Sequence, residues 1–188
     1  MTTQRNQFVI SIMSRDRVGI VYEVSQALAD LEADIADIRQ SVLSEYFTMI
    51  LLASFPQGVN KRAIERKLAE VDAQSDTAIE SVLVQVPESG PVHNRGVPDN
   101  SYVLTASGPD RIGFVATVAS FCREQAINIL DLSTTVNDGQ YVMILLVDLS
   151  RCASIAGVRA ALQNFAATTG LTMVLQHNDI FRATHDIS

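Results

Sequence analysis

Two stretches of the chain carry the same chemistry-bearing residues at the same spacing: SRDRVGIV at 14–21 and GPDRIGFV at 108–115. Each contains Asp-Arg-x-Gly, and the apolar pattern that follows predicts a helix from about 17 to 31 and from about 111 to 125. Asp16 and Asp110 then stand at a helix start, where a carboxylate accepts a backbone N–H and complements the helix dipole. Gly19 and Gly113 fall in the first helical turn, where glycine costs about 1 kcal/mol against alanine. Glycine is useful there when something must approach the backbone closely, either a ligand or a packed neighbour. The free N–H groups of such a turn suit a carboxylate. The chemistry on offer is recognition of a small anion; the alternative is capping with tight packing.

The elements that must position these turns are also duplicated. Residues 14–52 align without a gap to 108–146, and twelve of the pairs are identical, from Asp16/Asp110 to Leu52/Leu146. Between the halves lies PESGPVHNRGVPDN at 87–100, a linker by composition. The expected organisation is a first domain over 1–86, a linker over 87–100, a second domain over 101–178 and a solvated, frayed tail over 179–188. Strands are expected at 7–13, 35–43, 47–55 and 79–86, and again at 101–107 and 171–177 with a hairpin turned at Asn137-Asp138-Gly139. Val21, Val24, Leu28 and Leu31 form one apolar helix stripe. A second helix in each half starts from Asn60 or Ser154 as N-cap, and Gly170 follows the last helix. The order βαββαβ, twice, is an α+β chain of two ferredoxin-like units.

Composition bounds the function. Of 188 residues, 47% are hydrophobic and 19% charged, enough for a core in each half, and the net charge is −7. A negative surface without an offsetting basic cluster repels phosphate backbones, so direct nucleic-acid binding is not expected. The run YVMILLV at 141–147 is too short to cross a membrane. The N-terminal MTTQRNQFVI has no apolar leader, which predicts a cytoplasmic protein. Cys122 and Cys152 form no CxxC pair and are expected in helical segments as reduced core thiols. His93, His177 and His185 have no metal-ligand spacing, and no GxSxG, GxGxxG or Walker A pattern occurs. No cofactor is expected. Asp37 and Asp131 read as strand residues that pair with an arginine or face solvent, Arg17 and Arg111 as cations that either steer an anion or lie on the surface, and Met49 and Met143 as core.

DRVGIV followed by ADIADI, and DRIGFV followed by INILDL, resemble the ACT domain, a small βαββαβ module. The tandem arrangement is similar to that of the glycine cleavage system transcriptional repressor family. The resemblance implies a regulatory protein that binds an amino acid, through the loop after strand 1 and the start of strand 2 of a neighbouring domain. The matching positions are Ser14, Asp16 and Gly19 with Asp34 in the first half, and Gly108, Asp110 and Gly113 with Asn128 in the second. An Asn both donates to a carboxylate and accepts from an ammonium, whereas an ionised Asp only accepts. The favoured site therefore joins the Asp110 loop to a neighbour's second strand. The resemblance also implies a homo-oligomer and a protein partner through which any control of transcription is exerted. Two alternatives stand beside this reading. One is a structural assembly protein without a ligand; the other is a small phosphatase of the acylphosphatase type, whose phosphate-cradling loop the acidic Asp16 and Asp110 suit poorly.

Overall fold

The computed structural model describes residues 5–87, 98, 101–137 and 139–185, and the chain divides into two compact units at 94/95. In the first unit the order is β1 (Arg5–Arg15), α1 (Ile20–Ala29), β2 (Asp34–Leu43), β3 (Tyr46–Pro56), α2 (Lys61–Gln74) and β4 (Ile79–Val86). The second repeats it as β5 (Ser101–Pro109), α3 (Phe114–Glu124), β6 (Asn128–Asn137), β7 (Gln140–Asp148), α4 (Ile155–Thr169) and β8 (Thr172–His177), and adds α5 (Asn178–His185). Each unit holds one antiparallel four-stranded sheet, in the orders β2-β3-β1-β4 and β6-β7-β5-β8. This is the ferredoxin-like arrangement, twice.

Alternation along the strands builds each core. In β1, Phe8, Ile10 and Ile12 turn inward to meet Ile20, Val24 and Leu28 of α1 and Ile64 and Leu68 of α2. In the second unit, Leu104, Ala106, Met143 and Leu145 meet Phe114, Val118 and Phe121 of α3 and Val158 and Leu162 of α4. The expected caps are present: the Asn60 side chain accepts from the Ala63 amide and Ser154 from that of Gly157, each at 3.0 Å. Gly170 closes α4 at φ 69°. Met49 and Met143 are buried. Ile155, in the first turn of α4, is 38% exposed.

The 94-residue repeat extends to backbone irregularities that composition does not reveal. Extra residues, Ala36 and Leu130, bulge β2 and β6 between Ile35 and Asp37 and between Ile129 and Asp131. Glu32 and Ala126 both take φ 56°. Bulges re-aim a strand and are retained as features of a fold, so the two units share a backbone plan as well as a sequence pattern.

Several expectations need correction. The first helix of each unit starts three residues later than expected, because Gly19 (φ 97°) and Gly113 (φ 87°) stand as left-handed N-caps instead of helical residues. Cys152 lies in the connection between β7 and α4, not in a helix. The stretch after β8, expected to be frayed, forms α5, which packs on β5 and β8. Asp179 in its first turn suits the dipole, and the His177 ring that precedes it stands edge-on to Tyr102, centroids 5.0 Å apart. Asp138, His93 and the linker apart from Pro87 and Pro98 lie outside the described residues.

Candidate functional site

In the first unit the turn after β1 is tied together by Arg17. Its Nε donates to Thr77 Oγ1 at 2.9 Å, Nη2 to Ser75 Oγ at 2.7 Å and Nη1 to Glu23 Oε1 at 2.7 Å, with Nη2 also on Glu23 Oε2. Hydrogen bonding to the guanidinium holds the Glu23 carboxyl below its ordinary range, and Glu23 in turn raises Arg17. Ser14, buried at the end of β1, shares a 3.2 Å hydroxyl contact with Thr77. Ser14 and Thr77 open on a cavity of about 320 Å³ whose charged lining is Arg15, Asp76 and Glu80. Ser75 to Thr77 belong to the connection between α2 and β4, so the turn and that connection make one polar cluster.

The equivalent turn of the second unit is apolar. Gly108 stands where Ser14 does, and a Cβ built there would lie 2.7 Å from Leu171 Cδ2 and 3.5 Å from Phe114 Cε2. Leu171 is buried, and Phe114 stacks at a tilt on Tyr141 with centroids 4.8 Å apart. Only Gly170 and Leu171 separate α4 from β8, against the four residues Ser75 to Ala78 in the first unit. Thr169, two residues before Leu171 as Thr77 is before Ile79, turns its hydroxyl to the Phe165 carbonyl at 2.7 Å, and Arg111 donates to the Thr169 carbonyl at 3.2 Å in an exposed position.

Asp16 and Asp110 cap nothing: each precedes the capping glycine, is exposed, and fixes the turn with its amide, donating to the Glu45 carbonyl at 2.8 Å and the Gly139 carbonyl at 2.9 Å. Asp34 and Asn128 are exposed at the starts of β2 and β6. Asp34 aligns with Ser54 and through it with Gln7, while Ser14 lies seven residues further along β1. At about 3.3 Å per residue that is about 23 Å. Asn128 stands off from Gly108 in the same way, through Asp148 and Ser101. Within either unit the structure brings Ser14, Asp16 and Gly19, or Gly108, Asp110 and Gly113, to one end of the sheet and leaves the strand-start residue at the other.

A second cavity, of about 380 Å³, lies between α1 and α2. Its charges are already paired: Asp30 holds Lys67 Nζ at 2.9 Å and Glu23 holds Arg17. Burial pushes the Cys122 thiol up to about 11 and also raises Cys152, whose Sγ donates to the Gln125 carbonyl at 3.2 Å. Neither sulfur is disposed to act as a nucleophile at neutral pH.

The ACT domain model matches this chain twice, over residues 6–88 and 101–176. The chain belongs to the ACT domain family. A UPF0237 protein of Clostridium perfringens is 34% identical over 86 residues, 45% of this chain and 97% of the relative. A UPF0237 protein of Methanopyrus kandleri is 38% identical over 86 residues, 45% of this chain and 96% of its own length. One ACT unit here thus spans nearly the whole of such a relative. Among solved structures, an unknown protein from Galdieria sulphuraria superposes with a TM-score of 0.71 at 24% identity, covering 92% of this chain and 98% of that one. A protein provisionally described as a glycine cleavage system transcriptional repressor does so with a TM-score of 0.72 at 17% identity, covering 92% and 96%. Likeness at these identities carries the tandem fold.

In this ACT protein, sequence reasoning singled out Ser14, Asp16 and Gly19, left Arg17 between steering an anion and an ordinary surface role, and missed Ser75, Thr77 and Glu23. The signal was faint. Ser75 and Thr77 lie about 60 residues from Arg17 in a connection the repeat does not preserve, and Glu23 is replaced by Thr117 in the other ACT unit.

Proposed function

We propose that this ACT protein is a non-enzymatic regulator that binds a small amino acid in its first unit and passes that state to a protein partner. The observation that supports this reading is the Ser14 turn. A serine only 4% exposed adjoins a cavity of about 320 Å³ whose lining carries charges of both signs, as a zwitterion requires. That volume is near the lower end of small-molecule sites, about 300–1,000 Å³. The larger groove between α1 and α2 is less suited, since its carboxylates are already engaged by Arg17 and Lys67. The second unit's turn, filled by Leu171 and Phe114, fits the structural role considered as the alternative for the whole chain. Gly108, Asp110 and Gly113 are accordingly assigned to holding that turn. Asp34 and Asn128, at the far strand ends, are assigned to a site completed by a neighbouring domain in a homo-oligomer. The description of one structural neighbour as a glycine cleavage system repressor makes glycine the first ligand to try. It also makes transcriptional control of amino-acid metabolism, exerted through the partner in the cytoplasm, the first output to examine. A net charge of −7 argues against contact with DNA by this chain itself.

The test is thermal stability against the twenty amino acids at millimolar concentration, in wild type and in Ser14→Ala, Asp110→Ala and Asn128→Ala. A ligand at one hundred times its dissociation constant adds about 2.7 kcal/mol. A shift lost in Ser14→Ala and kept in Asp110→Ala is expected. A shift lost only in Asp110→Ala moves the site to the second unit, and no shift with any amino acid leaves the structural alternative.

A further inference from the structure

We infer that Arg17 is a positioning residue that fixes the hydrogen-bond polarity of the cavity beside Ser14, so that the cavity offers one spare hydroxyl proton and takes a ligand carboxylate oxygen. The inference rests on reading that cavity as the ligand site, and goes beyond it by naming the group recognised and the residue that sets the preference.

It follows from counting donors and acceptors. A guanidinium donates and never accepts, while a hydroxyl has one proton and two lone pairs. Arg17 Nε–H takes one lone pair of Thr77 Oγ1, at 2.9 Å, and Nη2–H takes one of Ser75 Oγ, at 2.7 Å. The Thr77 amide donates to Ser75 Oγ at 3.2 Å and fills its second lone pair. Ser75 therefore has no acceptor capacity left, and at 3.5 Å from Thr77 Oγ1 it can only donate. Ser14 and Thr77 bond each other at 3.2 Å, which uses one of their two protons whichever of them donates. The remaining proton finds no other acceptor among the described residues. Both residues line the cavity, which puts that proton within reach of a ligand bound there. Burial of Ser14 makes an unmet donor there costly, which gives a ligand oxygen its advantage.

The rest of the lining sorts the ligand's other end. Asp76 and Glu80 carry negative charge beside the same cavity, while Arg15 leans toward Glu45 at 3.5 Å. Acidic residues alone would accept any amine. The hydroxyl proton adds the demand for a carboxylate, and Arg17 is what prevents the hydroxyl chain from reversing. Among the described residues the second unit's turn lacks this arrangement: Leu171 fills the place beside Gly108, and Arg111 donates to the Thr169 carbonyl. Among the described residues the turn of the first unit alone carries such a subsite.

The experiment titrates the full ¹⁵N-labelled chain with glycine, glycolate and ethanolamine, which carry both charged groups, the carboxylate alone and the ammonium alone. The amide resonances of Ser14 and Thr77 are followed. Glycine and glycolate are expected to shift them more strongly than ethanolamine, whose ammonium meets only Asp76 and Glu80. Thr77→Val and Arg17→Gln should each weaken glycine binding by at least about tenfold, the effect of losing one hydrogen bond to a charged group. Thr77→Ser keeps the hydroxyl and should keep the affinity, which separates polarity from packing. Equal response to ethanolamine overturns the inference. So does glycine binding undiminished in Thr77→Val, or confined to amides far from Ser14, and either result leaves amino-acid binding in place. Response to glycolate with none to glycine supports the subsite while removing the amino-acid reading. Response to no probe removes both.

Discussion

The two turns that follow β1 and β5 began as one sequence and now do opposite things. Both keep Asp-Arg-x-Gly, both place a left-handed glycine at the helix start, and both anchor the Asp amide on the facing hairpin turn. In the first, Arg17 reaches Glu23, Ser75 and Thr77 and a buried hydroxyl borders a cavity. In the second, Leu171 fills the space next to Gly108 and the arginine is spent on an exposed carbonyl. The shared residues fix backbone geometry. The residues that differ decide whether that geometry surrounds a polar cavity or an apolar plug. A repeated motif is therefore evidence about the turn, and its variable neighbours are evidence about the site.

The largest expected effect comes from forcing the second turn toward the first. In Gly108→Ser the new Cβ meets Leu171 Cδ2 at 2.7 Å, so the end of the buried Leu171 side chain has to shift. Overpacking of this kind costs about 1–3 kcal/mol. Leu171→Ala alone leaves a cavity and costs about 2–5 kcal/mol. The double variant should cost less than the sum, since each change relieves the other. Urea denaturation, with hydrogen exchange reading each unit separately, checks this. Strict additivity would mean that Leu171 is not what closes the second turn.

Gly19→Ala and Gly113→Ala sharpen the comparison at the residue both turns share. Alanine in the left-handed region costs about 1–2 kcal/mol, and φ values of 97° and 87° impose that on both. The surroundings differ. A Cβ at position 19 lies 3.3 Å from Glu23 Oε1, whereas at 113 nothing lies within 4 Å. Both variants should destabilise their own unit, with Gly19→Ala slightly the worse because its Cβ also presses on the partly exposed Glu23–Arg17 pair. Equal losses would show that the Arg17–Glu23 pair tolerates displacement freely.

Much of this was legible in the chain, and the limits have physical causes. Apolar alternation in β1 and the caps Asn60 and Ser154 act locally, so spacing reveals them. The helix starts were misplaced because glycine permits two readings, a weak helical residue or a left-handed cap, and only the backbone dihedral separates them. The matching bulges at Ala36 and Leu130 leave no mark in residue type. Ser14, Asp16 and Gly19 were visible because they repeat or lie beside the repeat. Thr77 and Ser75 were not, because the Arg17 cluster joins parts of the chain 58 and 60 residues apart, in a connection that is two residues shorter in the second unit. A cluster completed by long-range contacts in an unrepeated loop cannot be read from a repeat.

The smallest effect tests whether the ion pair in the first turn is felt by the fold at all. Arg17 holds the Glu23 carboxyl below its ordinary value of 4.5, chiefly through their hydrogen bond. A folded-state pKa that is depressed contributes stability above the unfolded value, and that stability is lost as pH falls through the folded one. The first unit should therefore weaken as pH drops below about 4.5. Glu23→Gln should flatten part of that slope. The second unit has Thr117 at this position and should keep its slope in the variant. Both side chains of the pair are partly exposed, so solvent screening keeps the effect small. Hydrogen exchange measured per unit, in wild type and Glu23→Gln across this range, reads the difference directly. An unchanged slope in the first unit would reduce the Arg17–Glu23 contact to a surface pairing. The polarity of the cavity would then depend on the Ser75 and Thr77 contacts alone.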